Sequence, residues 1–127
     1  KKAFTINIPS IKHIKEADYF GIVSGKKQDK LKKTGLTVVK SELVDAPYIK
    51  EFSFVLECAL LKTLDVGAHT IFVGEIKDVK VDKNCLDAKG RPDITKIKPF
   101  SFDPSSGNYF KIDKYLAKAF SIGLSIK

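Results

Sequence analysis

The sequence contains no methionine and no tryptophan, and arginine occurs only once, as Arg91, among 23 basic residues. Arginine is favoured for recognising phosphates and bases because its planar fork binds two acceptors at once. The net charge of +8 is therefore weak evidence for nucleic acid, and we expect no nucleic-acid partner. The lysines are scattered singly or in pairs, which is typical of a solvated surface, although a Lys-rich rim could still attract a phosphate-bearing small molecule.

Cysteines and long apolar runs are also scarce. Cys58 and Cys85 lie 27 residues apart, without histidines at ligand spacing, which argues against a zinc site. Two cysteines in such a chain fit a reducing compartment, so we predict a cytoplasmic location. No apolar run approaches the roughly 18 residues of a membrane-spanning helix, and we expect no membrane partner.

The chain opens at Lys1, and Lys1 and Lys2 lead directly into a strand pattern. We expect residues 1–127 to form a single domain that lacks an N-terminal segment. Simple removal of an initiator methionine is the alternative.

Residues suited to nucleophilic catalysis do not occur in a recognisable arrangement. The sequence shows no serine elbow, no Cys–His pair at catalytic spacing and no carboxylate pair in an apolar setting. This is compatible with redox chemistry, in which a cofactor reacts and the protein positions it.

Two long apolar segments predict a β-hairpin at the centre of the chain. Residues 54–64 form the first strand, buried on both faces near its middle, residues 65–68 form the turn, and residues 69–81 return. Alternating apolar residues predict a further strand over 3–8. Shorter strands are predicted at 36–39, 100–102 and 109–112.

Helical patterns are short and lie around these strands. Ser10 is a candidate cap for a helix over 11–21, and Gly35 ends a second one over 29–33. Residues 115–122 offer a third short helix, whereas 42–52 and 83–99 are predicted to be loops. Antiparallel strands with short helices indicate a β-rich barrel or an α+β sheet.

Four segments, taken in order, resemble the flavin reductase-like, FMN-binding split-barrel family, and specifically its flavoredoxin branch. The sequence departs from the family pattern at Leu31, where phenylalanine is usual, and at Ala68, where a polar residue is frequent. The resemblance implies a mainly β fold, a split β-barrel of antiparallel strands with short helices. The matching segments are Phe4-Thr5-Ile6-Asn7-Ile8-Pro9, residues 20–25 with 29–31, residues 67–75, and residues 118–123.

The same resemblance implies FMN as cofactor, NAD(P)H as hydride donor, a further electron acceptor and a homodimer. His69 is the predicted catalytic residue, at the flavin face near the nicotinamide. The predicted cofactor-binding residues fall into three groups: Asn7, Ile8 and Pro9 for the ring, Ser24, Gly25 and Lys26 for the phosphate or ribityl chain, and Asp29 and Lys30 to orient that loop.

Each of these residues also has a purely structural interpretation. Asn7 could cap its strand, the Ser-Gly pair could be only a turn, and His69 could bond a local carbonyl. We expect Glu75 to pair with a lysine across the sheet and His13 to be exposed. The alternative function is a non-catalytic binding module of similar fold that uses its lysines for an anionic partner; haem ligation through a histidine is a weaker third hypothesis.

Overall fold

A computed structural model describes residues 2–24 and 29–127. Short helices surround antiparallel strands, and no helix in these ranges is long and apolar enough to cross a membrane. The strands are β1 Ala3–Ile8, β2 Val38–Lys40, β3 Pro47–Ile49, β4 Phe54–Val66, β5 His69–Val81, β6 Phe100–Asp103 and β7 Asn108–Lys111. The helices are α1 Ile14–Ile22, α2 Lys30–Thr34 and α3 Ile94–Ile97, with 3-10 turns at Ile11–His13, Lys83–Cys85 and Ile122–Ile126.

The principal sheet has the order β1-β4-β5, with both pairs antiparallel. The predicted hairpin is present, and its turn is closed by Gly67 with φ of 61°, a conformation that favours glycine. β1 pairs only with the first part of β4, from Ile8 opposite Phe54 to Ala3 opposite Ala59. The hairpin consequently extends beyond the three-stranded part of the sheet.

Two irregularities divide the hairpin along its length. The register shifts once between Glu57 and Cys58 and again between Leu60 and Lys62, where Leu61 is the extra residue. A β-bulge bends its strand and increases the local twist, so the second shift changes the direction of the part of the hairpin beyond it. We call residues 54–60 and 74–81 the base of the hairpin, and residues 61–73 its arm.

One face of the base is covered by the β2–β3 hairpin. Thr5 donates a hydrogen bond to the Pro47 carbonyl (2.6 Å), and the Ile49 N–H donates one to Asn7 Oδ1 (2.8 Å). Val55 and the wholly buried Glu57 lie between these layers. The fold is thus mainly β and antiparallel, as the sequence predicted.

The other face of the base is apolar and partly open. Phe4 lies opposite Cys58 and its ring covers Gly74, where a Cβ atom would come within 2.5 Å of the ring. Cys58 is buried beneath it, whereas Ile6 and Ile76 keep about half of their surface exposed.

Some predicted elements are wrong. β3 begins at Pro47, within a segment predicted to be a loop, because an edge strand needs no N–H from its first residue. Residues 115–122 form no helix; only a 3-10 turn from Ile122 follows. Leu61 lies in the strand that was predicted to be buried on both faces near its middle, but it is the extra residue of the bulge and 64% of it is exposed. Residues 83–99 contain a short helix, α3, capped by Asp93.

Candidate functional site

The end of β1 offers unpaired backbone groups. The Lys2 carbonyl accepts a hydrogen bond from the Leu60 N–H (2.9 Å), so Lys2 faces β4, and alternate residues after it do the same. Asn7 has the opposite parity, and its N–H and C=O point outward from the edge of the described sheet. One donor and one acceptor are therefore directed away from the ladder at this position.

The Asn7 side chain has a structural task. Its amide oxygen accepts the Ile49 N–H, and its amide nitrogen donates to Thr5 Oγ1 (2.9 Å). The side chain therefore fastens β3 to β1, and the backbone of Asn7 supplies the groups that can contact a ligand. Both interpretations of this residue are compatible, because they use different atoms.

Ile8 and Pro9 complete the end of this strand and are both partly buried. Pro9 has no N–H and cannot extend the ladder. Ser10 then accepts the Lys12 N–H (3.2 Å) and starts the 3-10 turn. The predicted ring-binding segment is therefore a strand end with a sharp change of direction.

Asp29 and Lys30 lie at the start of α2, and Lys30 links this helix to α1. Asp29 caps α2 by accepting the Lys32 N–H (3.2 Å). Lys30 Nζ donates to the Phe20 carbonyl (2.7 Å) and lies 5.7 Å from the centre of the Phe20 ring. Both the orienting role of these residues and their contact with a ligand stay predictions.

Ser24 is exposed at the end of this helix pair, whereas Gly25 and Lys26 lie outside the described residues. The predicted phosphate loop is thus described only at its flanks.

His69 lies far from the other predicted residues. It starts β5 opposite Val66 and is exposed, whereas Asn7 is opposite Val55. Eleven residues along β4 at about 3.3 Å each give a path of up to about 36 Å between the two positions, which bending at the bulges shortens. A site of roughly 300–1,000 Å³ spans only about 10 Å, so the two residues lie at opposite ends of a path longer than one such site.

Two neighbouring predictions need correction. Glu75 pairs with Lys77 of its own strand (3.0 Å), because its residue opposite is Ala59, which cannot form an ion pair. His13 is half-buried: its ring lies 5.5 Å from that of Phe52. Its helix face packs against the end of the β2–β3 layer, which local periodicity could not reveal.

Cys58 is unsuited to nucleophilic duty. Burial raises the pKa of its thiol above the ordinary value, so the thiolate is disfavoured. Together with its position beneath Phe4, this leaves Cys58 a role in packing.

A cavity that sequence reasoning missed lies beside the β1 end, with a volume of about 870 Å³. Ser10, immediately after the predicted flavin strand, is part of its wall. Residues 10–14 form one wall, and the other walls come from segments more than 35 residues further along the chain, so no local pattern could have found it. The only available signal was a set of lysines whose spacing looked random.

Comparison with known proteins identifies the family. The model of the flavin reductase like domain matches residues 1–95. This chain belongs to that family. The structure is similar to flavoredoxin of Desulfovibrio vulgaris (Miyazaki F), with a TM-score of 0.91 and 49% identity over 97% of this chain and 66% of that one. Flavoredoxin from Methanosarcina acetivorans gives a TM-score of 0.88 and 35% identity, over 97% and 64% of the two chains.

A sequence relative of undetermined function in Archaeoglobus fulgidus is 41% identical over 91 residues, which is 72% of this chain and 50% of the relative. The chain thus spans about half to two thirds of the relatives it matches. The split-barrel fold predicted from four short motifs is confirmed by these likenesses.

The residues at the β1 end fit a flavin. The pyrimidine edge of a flavin presents carbonyl acceptors and one N–H donor, and the outward N–H and C=O of Asn7 are their complements. Half-buried Ile8 and Pro9 offer apolar surface beside them.

Proposed function

We propose that this chain is part of an FMN-dependent oxidoreductase of the flavin reductase and flavoredoxin type. When bound, the flavin would take a hydride from NAD(P)H and supply electrons to a further acceptor. The likeness to flavoredoxin at 49% identity over nearly the whole chain carries the proposal. The cytoplasmic location stays a prediction, and both cysteines are free thiols.

The end of β1 is the proposed anchor for the ring. Its backbone groups are held in place because the Asn7 side chain is tied to β3 through Ile49. A donor and acceptor fixed in this way need no reorganisation when the ligand arrives, which favours binding. Lys30 links α2 to the end of α1, and Asp29 caps α2, so both would steady the flanks of the proposed phosphate site.

We further propose a homodimer in which His69 acts on the flavin of the partner subunit. The arm separates His69 from the β1 end of its own chain by a path of up to about 36 Å along β4, which favours a site completed by a second chain. The arm is also apolar and uncovered in the described residues: Phe72 is 60% exposed and Val66 is 55% exposed. Contiguous exposed apolar surface of this kind is typical of interfaces.

Titration with FMN tests the ring site. Asn7→Ala keeps the backbone N–H but releases the side-chain tie to β3, so it should weaken FMN binding by less than tenfold per folded molecule. Asn7→Pro removes that N–H as well and should weaken FMN binding by at least tenfold. Both variants lose the side-chain bonds to β3, so each is the control for the other. Bound FMN is measured by absorbance and by quenching of its fluorescence.

If wild-type protein does not bind FMN, the flavin proposal fails and the binding-module hypothesis gains support. Equal FMN affinity in Asn7→Ala and Asn7→Pro would show that the ring does not bind at the β1 edge.

Mixing variants tests the role of His69. His69→Ala and Asn7→Pro should each reduce NAD(P)H oxidation when assayed alone. In a mixed dimer, the Asn7→Pro chain supplies His69 to the intact β1 edge of the other chain, so activity should return to about a quarter to a half of wild type. Without recovery in a confirmed mixed dimer, His69 does not act across the interface.

A further inference from the structure

The cavity of about 870 Å³ lies within the size range of small-molecule sites, roughly 300–1,000 Å³. It opens between the 3-10 turn after β1, the end of β5, helix α3 and the β6–β7 hairpin. None of the residues predicted to bind flavin lines it, although Ser10 joins it to Pro9. It is therefore a separate site next to the proposed flavin strand.

The charge of this cavity is positive. Four lysines line it, against two carboxylates, Glu51 and Asp82. Both oxygens of Glu51 accept the Thr37 N–H (2.9 and 3.0 Å). Burial alone would raise the pKa of Glu51, but these bonds outweigh it and hold that pKa below its ordinary value. The Glu51 carboxylate is thus ionised, and its hydrogen bonds to Thr37 direct it partly away from the cavity. The lining lysines are Lys12, Lys96, Lys98 and Lys111.

Three of the four lysines are available for an anionic ligand. Lys96 Nζ donates to the Leu86 carbonyl (2.7 Å). None of the ion pairs within residues 2–24 and 29–127 uses the other three: Lys12, Lys98 and Lys111.

Lys98 is held in an unfavourable backbone conformation. Its φ and ψ are both 54°, in the left-handed region that favours glycine, and it precedes Pro99. Its carbonyl accepts the Ile11 N–H (2.8 Å), which joins α3 to the turn after β1. A glycine would satisfy this backbone at lower cost, so a lysine at this position, lining the cavity, points to a task for its side chain there.

An aromatic wall faces the lysines. The rings of Phe100 and Tyr109 meet edge to face with centres 5.4 Å apart. Tyr109 Oη donates to Asp18 Oδ1 (2.7 Å), and this bond raises the pKa of the tyrosine. The ring is therefore fixed as a neutral donor. Aromatic surface for a base and ammonium groups for phosphates are together the chemistry that recognises a nucleotide.

We propose that this cavity binds a nucleoside diphosphate, either free or as the ADP half of a nicotinamide dinucleotide, with Lys98 as the principal phosphate ligand. Identifying the ligand as the electron donor rests on the proposed function, because Ser10 places the cavity beside the flavin strand. The proposal of a nucleotide site does not depend on that function.

Calorimetric titration of flavin-free protein with ADP tests the proposal. Lys98→Gly should keep or raise the melting temperature, because glycine accepts φ of 54°, and should weaken ADP binding at least tenfold. Lys89→Gly makes the same change on an exposed turn outside the cavity and should leave ADP affinity unchanged. Adenosine, which lacks phosphate, should bind at least tenfold more weakly than ADP.

No ADP binding by wild-type protein, or equal affinity in Lys98→Gly, would overturn the site. NADH binding tighter than ADP, with Lys98→Gly weakening both, identifies the electron donor; ADP binding at least as tight as NADH identifies a free nucleotide. Failure of the flavin proposal is read separately, from the FMN titration.

Discussion

The base and the arm of the central hairpin are continuous in sequence but differ in environment. In the base, Val55 and Cys58 are almost completely buried, and β1 and the β2–β3 hairpin cover the strands. In the arm, residues 61–73 are all exposed, and no third strand in the described part of the chain pairs with them. The change occurs at the Leu61 bulge.

The arm is nevertheless nearly as apolar as the base. Leu64, Ile71 and Phe72 would be costly to leave in water if stability of this chain were their purpose. A two-stranded ribbon is marginal alone, so its side chains are best explained by a surface that they meet elsewhere. We infer that the base maintains the fold and the arm serves association, and the following substitutions test this division.

The largest loss of unfolding free energy is expected in the base, at the buried carboxylate of Glu57. Lys80 Nζ lies 3.3 Å from Oε2 of Glu57, which has no exposed surface. Lys80→Met leaves this carboxylate buried without its partner, which costs about 3–5 kcal/mol of unfolding free energy. Denaturant unfolding measures the loss. Lys77→Met breaks the exposed pair with Glu75 and should cost about 1 kcal/mol or less.

We expect the fold to lose stability at alkaline pH as Lys80 loses its proton. The hydrogen bond to Asp78 raises the pKa of Lys80, burial lowers it, and contact with Glu57 raises it again, leaving it above the ordinary value. A raised lysine pKa stabilises the fold fully below the unfolded pKa of about 10.4, and this contribution disappears as pH rises through the folded value. Lys80→Arg stays charged there and should flatten this part of the curve.

Gly74 marks the junction between the two regions. A Cβ there would lie 2.5 Å from Cζ of Phe4 and 3.1 Å from Cβ of Cys58, so Gly74→Ala should cost about 1–3 kcal/mol through displacement of the ring. Gly21→Ala is the matched control. It lies in α1 with nothing within 4 Å of the added carbon, and should stabilise by about 0.5–1 kcal/mol. Thermal melts that rank the two variants the other way would contradict this packing.

What could be predicted from the sequence follows the same division. Alternation over 3–8 and the two long strands gave the base closely, because burial on a sheet leaves a local pattern. The bulge at Leu61 left no such signal, so that residue was assigned to the core. His69 was recognised by its motif, but its distance from Asn7 depends on where β1 stops pairing. The cavity around Lys98 required contacts between distant segments.

The smallest effect on stability is expected in the arm. Phe72→Thr removes an exposed ring, so the unfolding free energy of the isolated chain should change by less than about 0.5 kcal/mol. If the arm contacts a second chain, the same change should raise the dimer dissociation constant at least tenfold in sedimentation experiments. Ile94→Thr, at an exposed site on α3, should alter neither quantity. A large loss of monomer stability in Phe72→Thr would mean that the arm packs within its own chain, and the division between base and arm would fail.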